Sequence, residues 1–403
     1  MKVLHCNSFK TGGAARAAER ICDAVKTAGV DSSMLWIYGD NEGESLAWRY
    51  YDRIRHKFFV KMNYSHVRRY ESDGFFSFDE LGFDLSKVKK VEEADIIHFH
   101  WISDGLISLK SMNALNKLGK PVIWTMHDMC PFTGGCHINK GCTGYEGTCG
   151  NCPVLKSSKD RDLSTVLQGK KRSAFTGMKL FPVGCSSWIT ECAGKSSLFK
   201  DFDPVNIPNP INTSIFNIID KKTARDLLSL PKRKKLVLFG AFSADTDENK
   251  GFKELCEALK MLPENDYACI VFGNDKDISD KTGLETISLG RINDDFHLMV
   301  LYNAADVYVC PSRLENLPNT VLEALSCGTP VAAFDTGGLK DLVIHMENGY
   351  LAPLGDTEEL SQGIRFSAST DLREAARKSV LVKFSYEAVG RRYRELYETA
   401  LKS

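Results

Sequence analysis

The chain has 403 residues, of which 43% are hydrophobic, and its 52 lysines and arginines are matched by 52 aspartates and glutamates. A single core stops growing near ~250–300 residues, so this length predicts two domains. The even charge excludes nucleic acid as an electrostatically driven partner, and no run approaches the ~18 uninterrupted apolar residues that would span a bilayer.

Met1-Lys2 leads straight into the apolar run Val3-Leu4-His5-Cys6, which leaves no room for a signal peptide, so the expected location is the cytoplasm. Thirteen cysteines in that compartment are expected to be buried thiols or metal ligands rather than disulfides. Strands are predicted over 3–6, 33–38, 95–98, 122–125 and 179–184, with helices over 14–28 and 106–118. A second series of strands falls at 236–239, 268–272, 286–289, 307–310 and 331–334, with helices at 252–262, 294–303 and 318–326. Strands alternating with helices predict α/β domains built on parallel sheets. Three prolines between Asp203 and Phe216 mark a linker, giving a first domain over 1–205, the linker over 206–216 and a second domain over 217–384. The charged amphipathic segment 385–403 is predicted to be a final helix.

The first strand runs into Asn7-Ser-Phe-Lys-Thr-Gly12-Gly13, a turn whose glycines allow close approach of a ligand to the helix start behind them. The full Gly-x-Gly-x-x-Gly fingerprint is not there, so no dinucleotide cofactor is expected, and a plain tight turn explains the pair equally well. From Arg49 to Tyr70, basic residues alternate with Tyr50, Tyr51, Phe58, Phe59 and Tyr64. That composition suits either a solvated helix face or a surface touching anionic lipid or a lipid-linked acceptor. His127 and Asp128 follow the strand 122–125 at the end where open α/β sheets place ligands, and the imidazole suits a sugar hydroxyl or charge near a reacting carbon. Within the glycine-rich loop 130–153, Cys136, Cys142, Cys149 and Cys152 are spaced for tetrahedral thiolate ligation of a structural zinc, with Cys130 and His137 as spare ligands. Free thiols and disulfides are the alternatives, and four thiolates would leave no open position for catalysis.

In the second series, Lys250-Gly251 opens a helix, where a lysine can meet a phosphate as a point charge. Further on, Pro311-Ser-Arg-Leu-Glu315-Asn-Leu-Pro318-Asn-Thr-Val-Leu-Glu323 sets two carboxylates eight positions apart around a helix start. Pro318 is expected in the first turn with Asn316 or Leu317 as cap, so that the N–H groups of Asn319, Thr320 and Val321 face an anion. Carboxylates beside an anion site are costly unless they accept bonds from hydroxyls, which predicts a diphosphate held between a sugar and a ribose. Arg291 and Arg313 are additional phosphate or hydroxyl contacts.

Taken together these segments resemble the family-4 retaining glycosyltransferases of GT-B fold, bacterial surface-polysaccharide enzymes among them, over nearly the whole chain. The resemblance implies two Rossmann-like domains facing a central cleft, an acceptor-binding first domain, a nucleotide-sugar-binding second domain, and a last helix crossing back. It further implies that Glu315 binds donor-sugar hydroxyls, Glu323 the ribose and Lys250 the diphosphate. Gly12 and Gly13 match the family's first loop, and His127 its sugar-contacting histidine. The implied substrate is a UDP- or GDP-sugar, and the implied reaction needs no catalytic metal. One departure stands out: between Gly240 and Asn249, where the family carries an arginine, this chain has no basic residue but Asp245, Asp247 and Glu248. Two rival readings share the architecture: a sugar-nucleotide epimerase or phosphorylase, and a degenerate transferase that only binds nucleotide sugars.

Overall fold

Runs such as Leu236-Val-Leu-Phe239 and Tyr267-Ala-Cys-Ile-Val-Phe272 are apolar throughout instead of alternating, the composition of strands covered on both faces. In the computed structural model, which describes residues 1–38, 50–240, 247–273 and 279–403, these runs are central strands of parallel sheets. Asp245 and Arg49 lie outside the described residues. The chain divides into two units, Met1–Asn209 with Val389–Ser403, and Pro210–Ala388.

Unit 1 holds a six-stranded sheet among the described residues. Its strands are β1 (Lys2–Cys6), β2 (Asp31–Leu35), β3 (Ile96–Phe99), β4 (Val122–Met126), β5 (Leu180–Gly184) and β6 (Val205–Asn206), in the order β2-β1-β3-β4-β5-β6. The second strand therefore begins and ends before the expected 33–38, because its ladder to β1 pairs Asp31 with Lys2 and ends at Leu35 opposite Cys6. The proline-containing segment first adds Val205–Asn206 beside β5 and only then leaves the sheet. One face of the sheet is packed by the helix Gly13–Thr27 and the last helix, Tyr386–Ala400, around Val3, Ile21, Val25, Ile96 and Tyr393. Gly390 allows that crossing, since a Cβ there would collide with the Ala24 carbonyl. The other face carries Leu4, Cys6, Phe99, Trp124 and Phe175.

Unit 2 repeats the plan with β7 (Lys235–Gly240), β8 (Tyr267–Phe272), β9 (Glu285–Ser288), β10 (Val307–Cys310), β11 (Val331–Phe334) and β12 (Gly349–Ala352), ordered β12-β11-β10-β7-β8-β9. In each sheet the first strand has one neighbour that follows it directly and another reached by a later crossover. Between β7 and β10, and between β1 and β3, the connections part to opposite sides, and in open α/β sheets ligands bind at the carboxyl ends of such strands.

Candidate active site

In unit 2 the Lys250 Nζ lies 2.7 Å from Glu315 Oε1. Lys250 follows β7 and Glu315 follows β10, so the pair sits at the switch point. Three neighbouring loops fix it. The Arg313 N–H donates to the Asn249 carbonyl at 2.8 Å, and the Asn249 side-chain amide donates to the Leu314 carbonyl at 2.8 Å. Beyond β11, the Thr336 hydroxyl donates to the Arg313 carbonyl and the Gly338 N–H to the Glu315 carbonyl, each at 2.9 Å. Two glycines permit this closeness. Gly251 (φ +65°) and Gly337 (φ +53°) are left-handed, and a Cβ at either would strike the Pro311 or the Glu315 carbonyl oxygen. Burial opposes the charge on Lys250, but Glu315 outweighs it and raises the ammonium's pKa, so the lysine stays cationic.

Glu323 lies on the helix Asn319–Ser326 and is fully buried, with the Tyr302 hydroxyl donating to its Oε2 at 2.8 Å. A buried carboxylate needs such donors. Burial, and then the Glu323 charge, hold the Tyr302 hydroxyl protonated far above its usual range. The helix starts one residue later than its sequence suggests. Pro318 is the N-cap, with extended ψ, in place of Asn316 or Leu317, and makes no side-chain cap bond of its own. The Val321 N–H turns back to the Pro318 carbonyl at 3.2 Å, so it does not face an anion. With Pro318 as the cap, Asn319 and Thr320 are the residues that open the helix. Arg313 pairs with Glu254. Arg291 is exposed beyond β9, two strands from β7.

In unit 1 the switch point is built from neutral rings. His5 and His98 are register partners on β1 and β3, and His100 follows β3. His5 Nδ1 meets His100 Nε2 at 3.0 Å, and His100 Nδ1 meets His127 Nε2 at 3.1 Å. His98 is held between the Tyr397 hydroxyl (2.7 Å) and Thr125 Oγ1 (2.8 Å), and Tyr393 completes the set by bonding Thr125 at 2.8 Å. Burial lowers the pKa of His5 to about 3 and of His127 to about 4, so both are neutral near pH 7. Each neutral imidazole carries one N–H, so the row His5–His100–His127 must point all its protons the same way. His5 Nε2 has no hydrogen-bond partner among the described residues. A bare acceptor is easier to bury than a bare N–H, which orients the row toward His127 and leaves the His127 proton on Nδ1. The three nitrogens of His5, His98 and His100 lie within 4.8 Å of one another. However, His98 and His100 stack at 4.3 Å and 22°, while His5 and His100 are nearly coplanar at 13° with their facing nitrogens bonded to each other. Stacked rings cannot aim their in-plane lone pairs at one ion.

Asp128 beside His127 is engaged at both oxygens: the Cys130 N–H donates to Oδ1 at 2.8 Å and His137 Nδ1 lies 2.7 Å from Oδ2. Burial works against its charge, but His137 overcomes this and holds the carboxyl below its usual range. His137 Nε2 in turn meets Ser77 Oγ at 2.8 Å. His127, Asp128, His100 and Trp101 line a cavity of about 30 Å³. Gly12 (φ +99°) is the N-cap of the helix Gly13–Thr27, and a Cβ on either Gly12 or Gly13 would meet nothing within 4 Å, so conformation rather than crowding calls for glycine at Gly12. Cys136, Cys142, Cys149 and Cys152 line one small cavity of their own. The basic segment forms the helix Tyr50–Val67, which exposes Tyr51, Ile54, Phe58 and Met62. Beside it, a groove of about 510 Å³ is lined by Tyr38, His56, Lys57, Lys61, Tyr64 and Arg68 among others.

Motif spacing predicted Lys250 and Glu315, but not their pairing. It missed Tyr302, Asn249, Gly337 and the histidine row; only the recurrence of His5, His98 and His100 at strand ends hinted at the last.

Residues 220–379 match the family Glycosyl transferases group 1. The putative colanic acid biosynthesis glycosyl transferase WcaC of Escherichia coli is 26% identical over 96% of this chain and 94% of its own. Among solved structures, sucrose-phosphate synthase from Thermosynechococcus elongatus superposes with a TM-score of 0.67 at 17% identity, covering 100% of this chain and 99% of that one. Anabaena HepE in complex with UDP-glucose gives 0.64 at 14%, covering 99% and 100%. With its two parallel sheets and a sequence likeness to a transferase along nearly its whole length, the chain is a glycosyltransferase of GT-B fold.

Proposed function

We propose that the enzyme moves a sugar from a UDP- or GDP-sugar to a saccharide or lipid-linked acceptor in surface-polysaccharide assembly, with retention at the anomeric carbon and without a catalytic metal. The observation that carries this reading is the Lys250–Glu315 pair at the β7/β10 switch point. A diphosphate entering there exchanges the Glu315 carboxylate for phosphate oxygens on Lys250 and frees Glu315 to accept bonds from sugar hydroxyls. Lys250 and the helix start at Asn319–Thr320 then neutralise the leaving diphosphate. Glu323, held by Tyr302, is assigned to the ribose, and Arg291 and Gly12-Gly13 to outer phosphate contacts.

His127, neutral with its proton on Nδ1, is assigned to a sugar hydroxyl. Asp128 is a poor covalent nucleophile because His137 and the Cys130 N–H already occupy its oxygens. The reading is therefore a front-face displacement in which a leaving phosphate oxygen takes the acceptor's proton. HepE in complex with UDP-glucose supports a nucleotide-sugar donor, and the colanic acid name of the Escherichia coli relative supports a polysaccharide role. No helix among the described residues is long and apolar enough to cross a membrane. The exposed Tyr51, Ile54, Phe58 and Met62, with Lys57 and Lys61 beside them, fit peripheral contact of 50–70 with an anionic membrane from the cytoplasmic side.

The test is a panel of UDP- and GDP-sugars. A donor that raises the melting temperature should be turned over with the product's anomeric configuration retained, read by NMR. Binding without transfer, or an inverted product, would overturn the reading.

A further inference from the structure

The loop from Asp128 to Asp162 has no strand of its own and only short 3₁₀ turns at Cys130–Phe132 and Gly144–Glu146. Irregular segments of this length need a staple to be ordered. Four of its five free cysteines, Cys136, Cys142, Cys149 and Cys152, surround one cavity of about 20 Å³ together with Gly134 and Tyr145. The chain reverses around them through left-handed Lys140, Gly141 and Asn151, so Cys142 follows one such turn and Cys149-Gly-Asn-Cys152 wraps another. One backbone N–H is aimed at a sulfur of the set: Gly144 donates to Cys142 Sγ at 3.3 Å. An N–H turned back on a cysteine sulfur, with the Cys149-x2-Cys152 spacing beside it, is the arrangement of a metal knuckle.

We propose that Cys136, Cys142, Cys149 and Cys152 bind a single zinc ion as a closed tetrathiolate. Binding releases four thiol protons and leaves a complex of charge −2, and no redox partner is required. Zinc–sulfur bonds of about 2.3 Å set tetrahedral sulfurs ~3.8 Å apart. No three of the four sulfurs lie within 4.8 Å of one another, whereas Asp128, Cys130 and His137 of the same loop do, so the four cysteines have to draw together on binding. The site braces the active-site side of the loop without touching substrate. Cys136 adjoins His137, which holds Asp128, and Phe76 bridges Cys136 beside Ser77, which holds His137.

The full-length protein, purified under reducing conditions without chelator, should carry about one zinc per chain by elemental analysis. Cobalt exchanged into it should give the intense visible bands of a tetrahedral tetrathiolate. Cys149→Ser should lose at least half of the metal, whereas Cys192→Ser should keep it. If Cys149→Ser does not fold, chelation of the native protein serves instead: the melting temperature should fall and recover on adding zinc alone. Less than about 0.2 zinc per chain with all four thiols open to a thiol reagent, disulfides among them by mass spectrometry, or iron in place of zinc would each overturn the assignment. Transfer activity plays no part in these readouts, so the zinc site and the proposed reaction stand or fall separately.

Discussion

The two switch points use the same backbone plan for opposite chemistry. At β7/β10 an ammonium and a carboxylate meet at 2.7 Å, and burial is compensated by pairing. At β1/β3 a row of imidazoles meets at 3.0 and 3.1 Å, and burial is resolved by discharging every ring. A charged pair can trade partners with a phosphate and a sugar, which suits a donor. Neutral rings hold a hydroxyl without attracting a charged competitor, which suits the transferred sugar's environment.

Lys250→Ala should separate the two ends most sharply. Removing a preorganised donor to developing charge lowers kcat by about 10²–10³-fold, and steady-state kinetics with the best donor would check it. Glu315→Gln should reduce transfer less than Lys250→Ala and leave Lys250 freer for inorganic pyrophosphate, so pyrophosphate inhibition should tighten. Unchanged inhibition would mean that the pair is structural. On the other side, His127→Ala is expected to lower kcat about 10²-fold, the low end for loss of one positioned group. Because burial sets the His127 pKa near 4, the activity of the native enzyme should show no limb from this residue above about pH 5.

A smaller effect concerns acid stability. His5, His98, His100 and His127 all have folded pKa values below their unfolded value near ~6.5. The unfolded chain therefore binds more protons below that pH, so their contribution is complete above about pH 6.5 and declines as pH falls toward 4, by up to ~1.4 kcal/mol per pH unit for each ring. His137, raised well above its usual value by Asp128 against the pull of burial, acts oppositely, its contribution being lost as pH rises through its folded pKa. Urea midpoints between pH 4.5 and 7.5 should rise with pH, and His100→Gln should flatten the rise. The least effect is expected for Tyr302→Phe, which removes one donor from buried Glu323 and should cost about 1–3 kcal/mol in urea unfolding.

Much of this was legible in the residues themselves. The unbroken apolar runs announced buried parallel strands, and Pro318 announced a helix start within one residue of its place. The eight-residue spacing of Glu315 and Glu323 put both carboxylates near one helix end. The thiol-and-glycine pattern over 130–153 singled out a loop in need of a staple. The short strand Val205–Asn206 was hidden because two residues carry no periodicity, and β12 (Gly349–Ala352) because glycine and alanine weaken its strand signal.

What only the folded chain decided is partnership over distance. Spacing could not say that Lys250 would take Glu315, 65 residues away, while Glu323 took Tyr302. Nor could it say that β1 and β3 would align His5 with His98 and start a row ending at His127. Local pattern fixes which face a side chain uses, because that depends on the backbone period of its own element. Which residue waits on the other side depends on strand order and crossover, and those are set by burying whole layers together.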